Sequence, residues 1–597
     1  MSGNGGVFGL CTKFKARITF LSKCLVFVVS LSLLLSIIID YGFDLNAQES
    51  ATVNFVYNFS WWFFILLYSL EFIFKRRFID RHSVVMSAVA ALLILLSIVG
   101  KLFPALHFFG SKLFVCSLLG IFSVVELSRS LVRVIDKKTN PALLLSAAFL
   151  VIIVLGTLLL MVPRSTLPNI RLSVVDALFV STSAVCVTGL SPVDISSTFT
   201  LSGQTIILLL IQIGALGIMT ITSAFTLFFM GETSLHNQFA LRDFVGSDTF
   251  SSLISTLLYI LGFTFAIEMV GFLLIWLSVH NTLGISIGEE IFFSLFHSVS
   301  AFCNAGFSTL GNNLGNSLIL SHHNNFYIIV SILVILGGIG FPILVNVKSM
   351  VKYYLQRVFV SGKDPAATKG RLWHLANLNT KMVLYGTAAL LLSGTLIIAV
   401  FEWNGAFASM RTADKIIHSF FNSVSPRTAG FNSVDLTSFS SVSIVVYTIL
   451  MWIGGASQST AGGVKVNTVM VAIANFRSIL KGSGSVNLFN REISSYSVKR
   501  ASAIIFGSLI TILLFWIVLI AVEPLIPPYK LVFEVVSAIS TVGSSLDLTP
   551  ELGTSAKLLI SLLMFIGRVG LTTVLMSMMH NSRKVAYKYP CDNVIIN

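Results

Sequence analysis

The sequence predicts an all-α polytopic membrane protein in which four helix–loop–helix repeats close around one axis, after about four further N-terminal transmembrane helices. Three observations predict it. Of 597 residues, 55% are hydrophobic and 11% charged, with a mean hydropathy of +0.90. Globular proteins carry roughly a quarter charged residues, and no soluble domain of about 100 residues fits between the apolar runs. Second, the pattern F-x-x-x-S followed by glycine recurs four times: Phe179, Ser183, Gly189; Phe296, Ser300, Gly306; Phe421, Ser425, Gly430; and Phe533, Ser537, Gly543. The glycines lie 117, 124 and 113 residues apart, a period that fits a helix, a loop and a second helix. Third, the net charge of +14 is carried in short segments between the spans, as the positive-inside rule expects. That placement argues against a nucleic-acid partner.

Four spans precede the first repeat, at about Cys24–Ile39, Phe59–Phe74, Val84–Phe103 and Lys112–Leu131. Met1 to Cys24 is basic and reads as a cytosolic tail before a retained span rather than a signal peptide. Lys13, Lys15, Arg17 and Lys23 precede the first span, and Lys75, Arg76, Arg77 and Arg81 follow the second. Arg129, Arg133, Lys137 and Lys138 follow the fourth, whereas the first connection carries Asp40, Asp44 and Glu49. That alternation sets the N-terminus in the cytosol, and twelve full crossings ending in a basic tail with Arg583, Lys584 and Lys588 set the C-terminus there too. Arg164 and Arg171 are its weak point, since they fall outside.

The block 1–140 is thus followed by repeats over 141–250, 251–378, 379–499 and 500–580, and a cytosolic tail over 581–597. Each repeat runs outer span, half-helix, extended loop, inner span. The first reads Leu143–Val162, Val174–Ala184, Cys186–Leu190 and Thr200–Met230; the second Leu253–Val279, Glu290–Phe302, Cys303–Phe307 and Asn325–Val351. The third reads Lys381–Phe401, Ala413–Ser425, Arg427–Phe431 and an interrupted span, Ser441–Ile453 with Val464–Leu480. The fourth reads Ser502–Val522, Lys530–Ser540, Thr541–Ser544 and Ala556–Met578.

The loops carry the chemistry. They read Cys186, Val187, Thr188, Gly189; Cys303, Asn304, Ala305, Gly306; Arg427, Thr428, Ala429, Gly430; and Ser540, Thr541, Val542, Gly543. Irregular backbone at membrane depth is tolerated only where protein buries it or water reaches it, and four such loops around one axis meet that demand together. Extended backbone with little side chain turns its carbonyls inward to replace the water around a dehydrated K⁺ ion. Each half-helix adds about −0.5 charge at its C-terminal end, which favours a cation.

The inner spans carry a second mark: I-G-A-L-G (213–217), L-G-G-I-G-F-P (336–342), I-G-G (453–455) and I-G-R-V-G (566–570). Close helix packing through small residues explains the first two as well as any functional reading. The third continues as Gly454, Gly455, Ala456, Ser457, Gln458, Ser459, Thr460, Ala461, Gly462 and Gly463. Four glycines at about 1 kcal/mol each oppose a helix there, so a flexible intramembrane loop is expected. Arg568 stands in an apolar span, where a central arginine costs about 3 kcal/mol and implies a function or a partner.

The loop sequences S-A-V-C-V-T-G-L (183–190), F-H-S-V-S-A-F-C-N-A-G-F (296–307), S-V-S-P-R-T-A-G-F-N (423–432) and S-T-V-G (540–543) resemble the Trk/Ktr/HKT superfamily of potassium transporters from about Pro141 onward. The resemblance implies four helix–pore-loop–helix repeats in a pseudo-tetrameric pore, with the four loops as a K⁺ filter. It implies a gate formed by the 454–463 loop and by Arg568 beneath that filter. It further implies a homodimer, a separate cytosolic ring of nucleotide-binding RCK-type subunits, and a place in a bacterial inner membrane. Gly189 stands where serine accompanies Na⁺ in some plant members, so K⁺ is favoured; Na⁺ permeation or Na⁺/H⁺ coupling is the alternative. The four N-terminal spans exceed the family core and receive no transport role. K⁺ is cargo, and no organic cofactor is signalled.

Asp194, Asp435 and Asp547 either concentrate K⁺ at the outer mouth or cap the following helices. Arg427 is expected to brace its loop. Glu268 and Glu402 are expected to pair or face water, and His297 and His418 to be structural. The six cysteines are scattered, with no C-x-x-C pair, which signals neither a disulfide framework nor a zinc site. A transporter with two-fold inverted repeats and a membrane enzyme with clustered catalytic groups both fit the pattern less well.

Overall fold

The computed structural model describes residues 25–75, 141–229, 253–316, 324–360 and 376–570, with scattered positions between 111 and 123. The chain divides into two units: residues 1–139 with 162–165, and residues 140–161 with 166–597.

In the first unit, α1 (Leu25–Gly42) and α2 (Ala47–Lys75) bury Leu33, Tyr57, Trp61 and Phe64 in a cluster with Cys116, Leu119 and Phe122. The second span was expected at Phe59–Phe74, but its helix begins at Ala47. Glu49 reaches back to accept from the Asn46 N–H at 2.9 Å, a cap that starts the helix ahead of the apolar run. Arg164, awkward for the predicted topology, donates to Asp44 at 2.6 Å. The expected span Val84–Phe103, and most of Lys112–Leu131, lie outside the described residues.

The described residues of the second unit are almost wholly helical. Its first repeat comprises α3 (Pro141–Leu160), the half-helix α4 (Val174–Val185) and α5 (Leu201–Phe229). The second comprises α6 (Leu253–Val279), half-helix α7 (Ile287–Phe302), α8 (Asn324–Ile339) and α9 (Phe341–Val360). The third comprises α10 (Leu378–Glu402), half-helix α11 (Thr412–Val424), α12 (Ser441–Trp452) and α13 (Val466–Leu480). The fourth comprises α14 (Ser495–Val522), half-helix α15 (Pro528–Ile539) and α16 (Thr554–Val569). Among the described residues, four helices are long and apolar enough to cross a membrane, or five if the bent pair α8–α9 is one span.

Local sequence explains the half-helix starts. Ser173 caps α4 by accepting from the Asp176 N–H, Ser286 and Glu289 form a capping box on α7, and Pro528 opens α15. A Pro there loses nothing, since its missing N–H is unpaired in any helix.

Three repeats share one internal lock. Ser181, Ser298 and Ser423 on the half-helices donate to the carbonyls of Ile153, Glu268 and Leu391 on the outer helices, at 2.7, 2.6 and 2.9 Å. Gly156, Gly271 and Gly394 make room for those serines, for any Cβ there would overlap the Oγ.

The inner helices depart from expectation. Asn325–Val351 was predicted as one span, yet α8 and α9 meet at 104° about Gly340, whose φ of +95° suits only glycine. The bend frees backbone groups that pair with the glycine-rich loop: Ala456 N–H donates to Gly338 O at 2.8 Å, and Phe341 N–H to Gln458 O at 3.2 Å. The fourth inner span was predicted as Ala556–Met578. Its helix α16 stops at Val569, capped by Gly570 at φ +92°, and the rest lies outside the described residues.

Candidate functional site: a ring of four glycine loops

Each half-helix ends and the chain turns at once through a left-handed residue: Val187 (φ 55°), Asn304 (59°), Thr428 (72°) and Thr541 (50°). Two residues on, Gly189, Gly306, Gly430 and Gly543 also have positive φ, at 97°, 72°, 70° and 96°. Valine and threonine rarely adopt such angles, at about 1–3 kcal/mol each, and persist there only when neighbours over-determine them.

The motif serines supply that determination. Ser183 Oγ accepts from the Gly189 N–H at 3.0 Å, and Ser537 Oγ from the Gly543 N–H at 3.1 Å. In the other two loops the serine donates instead, Ser300 to Phe307 O at 2.8 Å and Ser425 to Phe431 O. The motif phenylalanines, Phe179, Phe296, Phe421 and Phe533, are all buried beside them. The serine's task was missed in the sequence, although the recurring F-x-x-x-S was its signal.

The loops close on one another. A Cβ on Gly189 would strike Ala305 O; on Gly306, Ala429 O; on Gly430, Val542 O; and on Gly543, Thr188 O. The chain of contacts returns to its start, so the four glycines form one ring in which each lies against its neighbour's backbone. All twelve predicted loop residues other than these glycines, from Cys186 to Val542, are buried, Arg427 the least at 7% exposed.

Glycines on three inner helices seat the half-helices. Gly214 meets Val185 O, Gly337 meets Phe302 O, and Gly567 meets Ile539 O, with no room for a Cβ. Close packing is therefore the structural role of the repeated inner-span mark, which the sequence left open.

The interruption between α12 and α13 brings the two ends of the predicted loop, at Gly454 and Gly462, against this ring's loops. Its ends pair through Gly454 N–H to Val464 O at 2.9 Å and Val464 N–H to Trp452 O at 3.2 Å. Gly462 touches Ser540 and Thr541, and Gly454 touches Thr428. Arg568, 5% exposed, donates to Thr460 O of the loop and, at 2.9 Å, to Gly214 O of α5. The structure thus supplies the partner that an intramembrane arginine demands. Lys465, which the sequence reading passed over, adds a second tether by donating to Ala461 O at 2.5 Å and Gly462 O at 3.1 Å. Arg427 points from its loop to Thr387 Oγ1 and Gly454 O, at 3.4 and 3.5 Å.

The remaining candidates separate. Asp194 and Asp435 cap short helices by accepting from Ser196 N–H and Thr437 N–H. Asp547 caps nothing; partial burial and the nearby Asp435 carboxylate raise its pKa, against the pull of Lys530. Glu268 accepts from Gln212 Nε2 at 3.1 Å and from the Cys303 thiol at 3.6 Å. Glu402 accepts from Ser440 N–H and Oγ at 2.9 and 2.7 Å. His297 sits between Phe293 O and Ser308 Oγ, and His418 packs on Tyr327.

Residues 113–587 match the model of the TrkH family, described as cation transport protein. The match starts ahead of Pro141, so it takes in the fourth predicted N-terminal span. The chain is 34% identical over 471 residues to the potassium/sodium uptake protein NtpJ of Enterococcus hirae, covering 77% of this chain and 98% of that one. It is 35% identical over 440 residues to the Ktr system potassium uptake protein B of Bacillus subtilis, covering 73% and 93%. Its fold is similar to the crystal structure of the potassium transporter TrkH from Vibrio parahaemolyticus, with a TM-score of 0.59 at 15% identity over 82% of this chain and 96% of that one. With the helical membrane fold and these relatives together, the chain belongs to the TrkH family of cation transport proteins and is a multi-pass membrane transporter, not an enzyme.

Proposed function

We propose that the chain takes up K⁺ through the ring of four glycine loops, with the 454–463 loop and Arg568 as the gate. The observation that carries this is the closed cycle of contacts among Gly189, Gly306, Gly430 and Gly543. Four backbone segments converging there offer carbonyl oxygens to a dehydrated cation at the C-terminal ends of four half-helices. The names of the relatives in Bacillus subtilis and Enterococcus hirae, both potassium uptake proteins, support the same ion.

The gate reading rests on position and space. The loop lies against the ring and is held by two arginines, Arg568 and Arg427, and by Lys465. Beside it opens a cavity of about 750 Å³ lined by Gln458, Lys465, Arg500 and Ile566, among others, which gives the loop somewhere to go. Working as a homodimer with a cytosolic ring of nucleotide-binding RCK-type subunits in a bacterial inner membrane, with both termini in the cytosol, completes the proposal. The repeat boundaries at 141, 251, 379 and 500 belong to it too. Na⁺ stays as a second cargo, because the relative from Enterococcus hirae is named for potassium and sodium.

The test is flux of K⁺, Rb⁺ and Na⁺, offered separately, into liposomes holding the purified chain. K⁺ and Rb⁺ uptake well above Na⁺ supports the ring as selector, and equal uptake removes selectivity. Silence for all three ions, with the 454–463 loop also shortened, would overturn the transport path itself.

A further inference from the structure

We infer that Asn313 is a positioning residue for ion preference, its side-chain amide clamping the outer ends of the second and third loops. The inference rests on the four-glycine ring being the ion selector. Asn313 Nδ2 donates to Gly306 O at 3.3 Å and to Gly430 O at 3.4 Å. Those oxygens belong to two different repeats, and their glycines are neighbours in the ring. Among the described residues, no other side chain bridges two of the four ring glycines' carbonyls.

The amide is held in that place. Its own oxygen accepts from the Leu314 N–H at 2.9 Å, which fixes which end of the amide faces the ring. Leu314 is fully buried in the cluster of Phe293, Phe326 and Tyr327, and its carbonyl accepts from the Tyr327 hydroxyl at 2.6 Å. Tyr327 in turn packs edge-on against Phe421, the motif phenylalanine of the third repeat. Asn312 and Asn313 both have left-handed backbones, φ 63° and 54°. Asparagine tolerates that region better than most residues, and a strained pair held by its surroundings is typical of a functional position.

The clamp bears on selectivity through spacing. A smaller cation such as Na⁺ needs the carbonyls to draw inward, whereas K⁺ is matched by a wider ring. Two carbonyls tied to one amide resist that closure and share their lone pairs with its N–H. Among the described residues the other two glycine carbonyls carry no such brace, so the ring is asymmetric at its outer end.

The experiment is competitive K⁺ and Na⁺ uptake by the full-length chain in liposomes, with the melting temperature of each variant read in detergent. Asn313→Ala and Asn313→Asp are compared with Tyr327→Phe, which keeps the packing but releases Leu314. The K⁺ to Na⁺ ratio should fall about fivefold in both Asn313 variants, the factor one net hydrogen bond carries. Tyr327→Phe should fall in the same direction by less. A folded Asn313→Ala or Asn313→Asp with the wild-type ratio overturns the clamp while leaving the ring intact. If neither Asn313 variant folds, an unchanged ratio in Tyr327→Phe overturns it equally. A wild-type chain with no K⁺ preference overturns the ring reading and this inference together.

Discussion

Arg568→Gln tests the proposed gate. The arginine is buried and makes two hydrogen bonds from a charged donor, to Thr460 O on the loop and to Gly214 O on α5. Hydrogen bonds to charged groups contribute about 1.5–3 kcal/mol each. The shorter, neutral glutamine keeps at most one of the two, so the seated loop loses about 2 kcal/mol relative to the displaced one. That shifts the ratio of displaced to seated loop by about thirtyfold. The assay is ⁸⁶Rb⁺ uptake into liposomes without any cytosolic partner, scaled against a variant lacking 455–462 as the ceiling. Arg568→Gln should approach that ceiling, and Arg568→Lys, which keeps the charge and one reachable donor, should fall between. A folded Arg568→Gln at the wild-type rate, well under the ceiling, would refute the loop tether.

Further outcomes follow from the same geometry. Gly189→Ser puts a Cβ against Ala305 O at a φ of +97°; K⁺ preference should drop in liposome flux and the melting temperature should fall with it. Ser537→Ala orphans the part-buried Gly543 N–H, at about 1–3 kcal/mol for a fully buried group and less here; a lower melting temperature and a reduced K⁺ to Na⁺ ratio are expected, whereas an unchanged ratio would detach the serine from the ring. Asp547 has a raised pKa, so its charge is present above that value and lost as pH falls through it, at higher pH than an ordinary aspartate. The K⁺ concentration for half-maximal uptake should therefore rise on acidification in the wild type and stay high and flat in Asp547→Asn; parallel pH profiles would remove the aspartate from the mouth. Gly462→Val drives side-chain atoms into Thr541 and Ser540 and should lower the melting temperature by disrupting the loop seat.

Much of the fold is written locally. The four glycines, the half-helix ends and the interrupted third inner span are legible because period, apolar length and glycine content act over short stretches. The break at Gly340 is not legible, since the sequence 336–342 also suits tight packing of an unbroken helix. What decides it is pairing with Ala456 and Gln458, more than a hundred residues away in the chain. The partners of Glu268 are hidden for the same reason: Gln212 reaches it from α5 and Cys303 from the second loop. Asn313 lies in a loop whose role appears only once Gly306 and Gly430 stand side by side. The polarity of the motif serine, accepting in two loops and donating in two, is likewise set by backbone geometry that F-x-x-x-S does not encode.

The measurement closest to the central claim is ion binding to the purified chain, read as thermal stabilisation while K⁺, Rb⁺ or Na⁺ is titrated at constant ionic strength. A ligand that binds the native state raises stability with its concentration, whatever the state of the gate. The ring account predicts stabilisation by K⁺ and Rb⁺, little by Na⁺, and loss of that difference in Gly189→Ser. Equal stabilisation by K⁺ and Na⁺, or a preference untouched by Gly189→Ser, would contradict it.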